Sequence, residues 1–352
     1  MKNLIVRVLS IFLMFNTTTI QPAVSQSFSV GTFVPRKIIR ENTNLDNLAS
    51  DQTYKNSFKE VLKNINSGYQ PTIRSLVSPT VDKKRQKRFE KSLFEAAKLW
   101  SPYFKPENVT VVYIGPKDSK WADEVVKTEK LESMLYDAPI SELLKRNGNC
   151  NFALGGKPNG NYTIITCLQS DELMKLQDGP HEYTHLFQIS NNSIPDYAPC
   201  WITEGMAHFY GEAIGYSKND KNRREGFKMY KSQTINFDRE SNKNRNSGTL
   251  PKLMIKNSVE VTKNLYQGME SPGAGGKASG CYVLGGMAFE VLVSKYGHQK
   301  VAEFMLKFNT SKDWKNNFKS TFGIDELEFY SKMTPYISFM GKKIMNSPAP
   351  RN

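Results

Sequence analysis

Apolar residues recur along this chain mainly at helical spacing. Tyr54, Phe58, Val61, Leu62 and Ile65 share one helix face. Phe89, Leu93, Ala96, Ala97 and Trp100 share another, which Ser101-Pro102 should stop because the residue before a proline disfavours the helical region. Between them, residues 68–79 are rich in turn formers and read as a boundary. The β-branched run 109–114, set between Pro106 and Gly115-Pro116, predicts a buried strand. Residues 121–146 read as mainly helical, closed by Asn147-Gly148. The turn signal Gly155-Gly156-Lys157-Pro158-Asn159-Gly160 then predicts a hairpin whose second arm is 162–168.

Further on, Asp178-Gly179-Pro180 is expected to open a helix, since proline is tolerated in a first turn, and Leu186, Phe187 and Ile189 give that helix its apolar side. A loop over 191–199 should lead to a second helix from about residue 201 to 214. Residues 217–250 are polar and charged and predict a helix followed by an excursion, while 268–280 is glycine-rich and reads as a flap. Val283, Leu284, Phe289, Leu292 and Val293 mark a helix stopped at Gly297. Val301, Phe304, Met305 and Phe308 form the next apolar face. Asp325 and Glu328 have the spacing of an N-cap with a reciprocal acid, so a final helix starts there and Pro335 should bend or end it. No internal repeat interrupts this order.

Composition adds compartment to the picture. With 39% hydrophobic residues in 352, the chain can bury an ordinary core. Residues 1–25 have the layout of a secretory signal peptide: Lys2 and Arg7, an apolar stretch over 8–15, and Ala23-Val24-Ser25 before Gln26. That stretch is too short to span a bilayer. The expected divisions are this leader, an N-terminal extension with one helix (26–80), a main domain (81–346) and a loose tail (347–352). The formal charge is +14, or +12 without the leader's Lys2 and Arg7, and a surface this basic attracts anionic envelope polymers or membranes. The run Lys83-Lys84-Arg85-Gln86-Lys87-Arg88 reads as the solvated start of a helix, so nucleic acid is not an expected partner.

Four cysteines follow the leader, and an even number in an exported chain favours disulfides. Three pairings are possible. The turn signal between Cys150 and Cys167 favours that pair across a hairpin, which leaves Cys200 with Cys281.

The chemistry concentrates in His181-Glu182-Tyr183-Thr184-His185 and Trp201-Ile202-Thr203-Glu204-Gly205. Residues four apart lie on one face of a helix, so His181 and His185 can grip one metal ion together. Glu182 then stands close enough to reach a water on that metal without being a ligand, the placement of a general base. Eighteen residues separate His185 from Glu204, enough to finish one helix, turn and begin another. Glu204 is the candidate third ligand.

This pattern resembles the gluzincin metallopeptidases, with the spacing of the aminopeptidase N family. The resemblance implies one zinc ion held by His181, His185 and Glu204, with Glu182 activating water, on an α+β fold. In such a fold a small β-sheet lobe, with an edge strand beside the cleft, adjoins a mainly helical lobe that carries the zinc helices. It assigns the edge strand to 162–168, and a downstream tyrosine, for which Tyr282 is the candidate, to the oxyanion; Tyr266 and His208 are its competitors. Metzincins need a glycine and a third histidine where Gln188 and Asn191 stand, so that family does not fit.

Two departures limit the inference. No G-x-M-E-N segment, which binds a substrate's free amino end in aminopeptidase N relatives, lies between 108 and 180. His208 stands where thermolysin-like relatives place an aspartate that orients a zinc histidine, and Glu212, a turn further on, reads as a surface carboxylate. The function implied is a secreted, periplasmic or extracellular zinc metallopeptidase that hydrolyses peptides or proteins by Glu-assisted attack of zinc-bound water. The alternative is a cell-surface binding protein that keeps fold and metal without turnover, and an intact Glu182 favours the enzyme.

Overall fold

The expected helix over 54–65 forms as α1 (Asp51–Lys63), with Ser57 and Val61 fully buried. Where a turn-rich break was expected, a short strand β1 (Thr72–Val77) follows, half-buried only at Ile73 and Leu76. Helix α2 (Lys83–Trp100) begins at Asp82, whose carboxylate accepts hydrogen bonds from the amides of Lys84 and Arg85, and its first turns carry the basic run into solvent. Strand β2 (Asn108–Ile114) is the predicted buried strand. After α3 (Ser119–Thr128) and α4 (Ile140–Arg146) come β3 (Ala153–Gly156) and β4 (Thr163–Cys167), antiparallel to each other. The structure, a computed structural model, describes residues 45–347 apart from 66–67, 136–137, 147–149, 151, 169–173, 192–195, 217–225, 228–229, 232–248 and 274–277. The expected leader, residues 26–44 of the expected extension, the Asn147-Gly148 stop, the residues beyond 347 and most of the 217–250 excursion therefore lie outside the described residues.

The four strands form one mixed sheet in the order β1-β2-β4-β3, with β1, β2 and β4 parallel. Parallel neighbours need a crossover, supplied by α2 between β1 and β2 and by α3 and α4 between β2 and β4. Alternate residues of the inner strands feed the two faces: Val109, Val111, Tyr113 and Ile164 join the large core, and Val112, Ile114, Ile165 and Cys167 pack with Val126, Leu131 and Ile140. This order corrects one expectation. The second hairpin arm is an inner strand, paired on both sides, and the edge beside the histidine helix is the first arm, β3. Both disulfides match the favoured pairing, Cys150 with Cys167 and Cys200 with Cys281.

The helical part begins with α5 (Met174–Ser190) and α6 (Cys200–Gly215). It continues through α7 (Leu250–Met254), α8 (Val259–Gln267), α9 (Ala278–Leu306), α10 (Trp314–Phe322) and α11 (Glu326–Asn346). The described residues belong to one compact unit, in which α1 packs on α9 and β1 pairs with β2. The whole is a mixed α+β fold.

Proline and glycine mark where local signals win or lose. Gly297 breaks α9 as expected, with φ 82°, a conformation that side chains disfavour. Pro180 does not open α5, which already runs from Met174, and Pro335 does not end α11. Each removes one helical hydrogen bond, yet the segments on both sides are fixed by burial. Beyond Pro335, Tyr336 and Ile337 are fully buried and the Tyr336 hydroxyl donates to Glu290 at 2.5 Å. Packing across the break outweighs the missing bond.

His298, just after that glycine, is 2% exposed among the rings of Trp100, Tyr103 and Tyr210, and its Nδ1 lies 2.9 Å from the Tyr210 hydroxyl. Burial pushes its pKa down to about 3. A depressed folded-state value means the unfolded chain binds the proton first, so this contribution is complete above about pH 6.5 and is lost as pH falls towards 3. Between pH 6.5 and 5 the chain should lose about 1.5 kcal/mol of stability that His298→Gln does not lose. Urea denaturation at the two pH values measures it, and equal losses in both proteins would assign the acid sensitivity elsewhere.

Candidate metal centre

Three close helix contacts put the site residues where they are. A Cβ on Gly179 would lie 3.0 Å from the Phe89 carbonyl oxygen of α2, and one on Gly215 of α6 would lie 2.6 Å from the Leu176 carbonyl oxygen of α5. At the third contact Gly205 of α6 meets Gly285 of α9, where an added Cβ would sit 2.4 Å from backbone carbon. Glycine on both helices allows this approach, and Glu204 is the residue next to it. Gly205→Ala would gain up to about 1 kcal/mol of helix propensity, but the clash is with backbone and forces the helices apart, which costs about 1–3 kcal/mol. Net destabilisation is therefore expected in urea unfolding; an unchanged or more stable variant would show that the contact has slack.

Within this frame His181 and His185 stand one turn apart on α5 with their Nε2 atoms 3.1 Å from each other. Glu204 Oε2 reaches across from α6 to 3.6 Å from His181 Nε2 and 3.3 Å from His185 Nε2. All three side chains are partly shielded, at 12%, 13% and 22% exposure. The predicted triad converges, and its members can together hold a metal ion.

Whether the donor set suits a cation is decided by where the protons lie. His185 Nδ1 is 2.8 Å from the side-chain oxygen of Gln188, and Gln188 is itself oriented by donating its Nε2 to the Thr203 carbonyl at 2.9 Å. An amide oxygen only accepts, so Nδ1 carries the hydrogen and the Nε2 lone pair points into the cluster. Glu204 Oε2 is buried with no hydrogen-bonding partner other than the two imidazoles. The Nε2 atoms of both imidazoles and a carboxylate oxygen thus meet at one point, an arrangement that is costly unless a cation or a proton occupies it.

With no metal ion present, a proton takes that place between His185 and Glu204. Burial works to raise the Glu204 carboxyl, but the charge of His185 and hydrogen bonds from both imidazoles hold it well below the usual carboxylate range. Burial works to lower His185, yet Glu204, together with Glu182 and Gln188, outweighs it and pushes its pKa up to about 9. Glu182 differs from its neighbours. At 5% exposure its carboxyl is raised by burial, an effect the His181 and His185 charges only partly offset. It does not belong to the converging triad, and its space is made by strand β3, where a Cβ on Gly155 would lie 3.1 Å from Glu182 Oε2.

No family model, curated protein or solved structure matches the chain. What the residues can do therefore follows from their own arrangement. Tyr282, on the first turns of α9, is brought to the centre: its ring lies 5.7 Å from that of His181. Tyr266 is not, since its hydroxyl donates to the Leu284 carbonyl at 2.8 Å and its ring stacks on Tyr330. Glu212, expected at the surface, is 6% exposed and accepts a hydrogen bond from Tyr230 at 2.6 Å, while His208 lies 2.5 Å from the same hydroxyl.

Two further residues were missed by the sequence reading. Gln188 entered it only as an argument against another family, although a polar residue three positions after a ligand histidine, on an otherwise apolar helix side, can reach that histidine's second nitrogen. Trp100 ended a core stripe, and here its Nε1 donates to Thr184 Oγ1 at 3.1 Å while its ring stacks on Phe187, bracing the helix that carries both histidines.

Proposed function

We propose that this chain is a zinc-dependent metallopeptidase of gluzincin type that works outside the cytoplasm. The observation that carries the reading is the convergence of His181, His185 and Glu204 with a buried carboxylate, Glu182, beside them and outside the ligand set. Zinc favours nitrogen and oxygen donors in this number, and three protein ligands leave one position open, as catalytic sites do and structural sites do not. No thiolate competes, because all four cysteines are in disulfides.

Bound zinc supplies a Lewis acid and brings the pKa of a coordinated water to about 7. The rest is work for side chains of this chain. Glu182 takes the proton from the attacking water and returns it to the leaving amine; its raised pKa suits both steps. Gln188 fixes the His185 tautomer that presents Nε2. Tyr282 offers a phenol beside His181 for the oxygen that becomes negative in the tetrahedral state. The sheet edge β3, whose Gly155 touches Glu182, offers main-chain groups to an extended peptide. Such an edge beside the histidine helix supports the gluzincin-type reading of the fold. The two disulfides fit an oxidising compartment, and no helix among the described residues is long and apolar enough to cross a membrane.

A peptide-library digest with the zinc-loaded mature chain tests the reading. Cleavage should stop on chelation and return with added zinc. A zinc-loaded chain that cuts nothing, or cleavage indifferent to chelator, would remove it.

A further inference from the structure

Beyond Glu204, the same face of α6 continues through His208 and Glu212, at successive turns of four residues. Both are buried, and Tyr230 is buried against them. The Tyr230 hydroxyl donates to Glu212 Oε1 at 2.6 Å, and its oxygen lies 2.5 Å from His208 Nε2. A phenol has one hydrogen; given to the carboxylate, it leaves the oxygen to accept, so His208 Nε2 is the donor in that pair. One edge of the imidazole is thereby tied. Next to that nitrogen the ring is packed close to the backbone of α9, since a Cβ on Gly286 would lie 3.1 Å from His208 Cδ2.

The clamped ring has a third neighbour. Tyr282 lies 5.8 Å from His208 and 5.7 Å from His181, centroid to centroid, so its ring bridges the clamped imidazole and a metal-ligand imidazole. A buried imidazole, phenol and carboxylate cost more than apolar residues of the same size when packing is all that is needed. We infer that His208, held by Tyr230 and Glu212, is a positioning residue that keeps the Tyr282 ring against His181 at the metal centre. The inference rests on the peptidase reading for what Tyr282 does, and on geometry alone for how Tyr282 is held.

The test has one arm for each part. Fluorotyrosine placed at position 282 of the full, zinc-loaded chain reports its own surroundings by fluorine NMR. Tyr230→Phe removes only a hydroxyl, and Glu212→Gln keeps the shape of its side chain if the first variant folds poorly. In either variant the resonance should shift and broaden with zinc content unchanged; an unmoved resonance overturns the inference. In the kinetic arm, Tyr230→Phe should lower kcat about 10- to 100-fold with KM unchanged, the scale of a misplaced catalytic group. It should have no further effect in a Tyr282→Phe background. Equal losses in both backgrounds would show that Tyr230 does not act through Tyr282 and would overturn the inference as well. A parent that cleaves no peptide would sink the peptidase reading, and the fluorine signal would still decide the positioning role.

Discussion

Exchanging Glu182 for glutamine is expected to leave zinc bound and to reduce peptide hydrolysis by about 10²- to 10⁴-fold, the range supplied by general acid–base catalysis. Zinc should stay because the three residues that converge to hold it do not include residue 182. Glutamine fits because its amide has the shape of the carboxyl that strand β3 already accommodates at Gly155. Only the capacity to take up a proton is lost. The same exchange should stabilise the metal-free chain at neutral pH. Burial raises the folded-state pKa of Glu182, so its contribution to stability is present at low pH and disappears as pH rises through the raised value, a loss that a neutral amide does not suffer. Metal analysis, a peptide assay and a thermal scan of the apo proteins check all three statements. Equal hydrolysis rates in variant and parent would take Glu182 out of the mechanism.

Replacing Cys200 and Cys281 together by serine should cost about 4 kcal/mol of stability, as expected for a cross-link closing a loop of this length. The two residues are 81 apart, against 17 for Cys150 and Cys167, so this is the larger of the two contributions. Its position matters as much as its size. Cys200 is one turn before Glu204 on α6, and Cys281 is next to Tyr282 on α9, so the bridge joins the starts of the helices that carry Glu204 and Tyr282. The double variant should therefore release zinc to a chelator faster than the parent, while a Cys150→Ser, Cys167→Ser chain retains it. Urea unfolding and chelator competition measure the two effects. A variant with parental zinc retention would show that the Gly205–Gly285 contact alone is enough to hold Glu204.

The convergence of His181, His185 and Glu204 was legible because its information is local. Four-residue spacing on one helix and a loop long enough to turn back determine where two imidazoles and a carboxylate can meet, whatever surrounds them. The disulfide pairing was legible for a similar reason, a turn signal between two of four cysteines. What escaped depended on contacts between distant segments. Strand β1 is an exposed edge with two half-buried residues, so no apolar alternation announces it. Pro180 and Pro335 are strong local stops overruled by burial on either side. Which hairpin arm becomes the edge is set by β4 entering between β2 and β3, a fact of topology that neither arm encodes. Glu212 looked like a surface acid because its partner, Tyr230, lies in a polar stretch with no period. The same distance hid the clamp on His208.

The most direct test is zinc X-ray absorption on the purified mature chain, read together with metal stoichiometry. One zinc per chain, with a nitrogen and oxygen shell showing the scattering of two imidazoles, is the predicted result, and Glu204→Gln should alter that shell or empty it. A chain that retains no zinc, or a shell with one imidazole or none, would contradict the account.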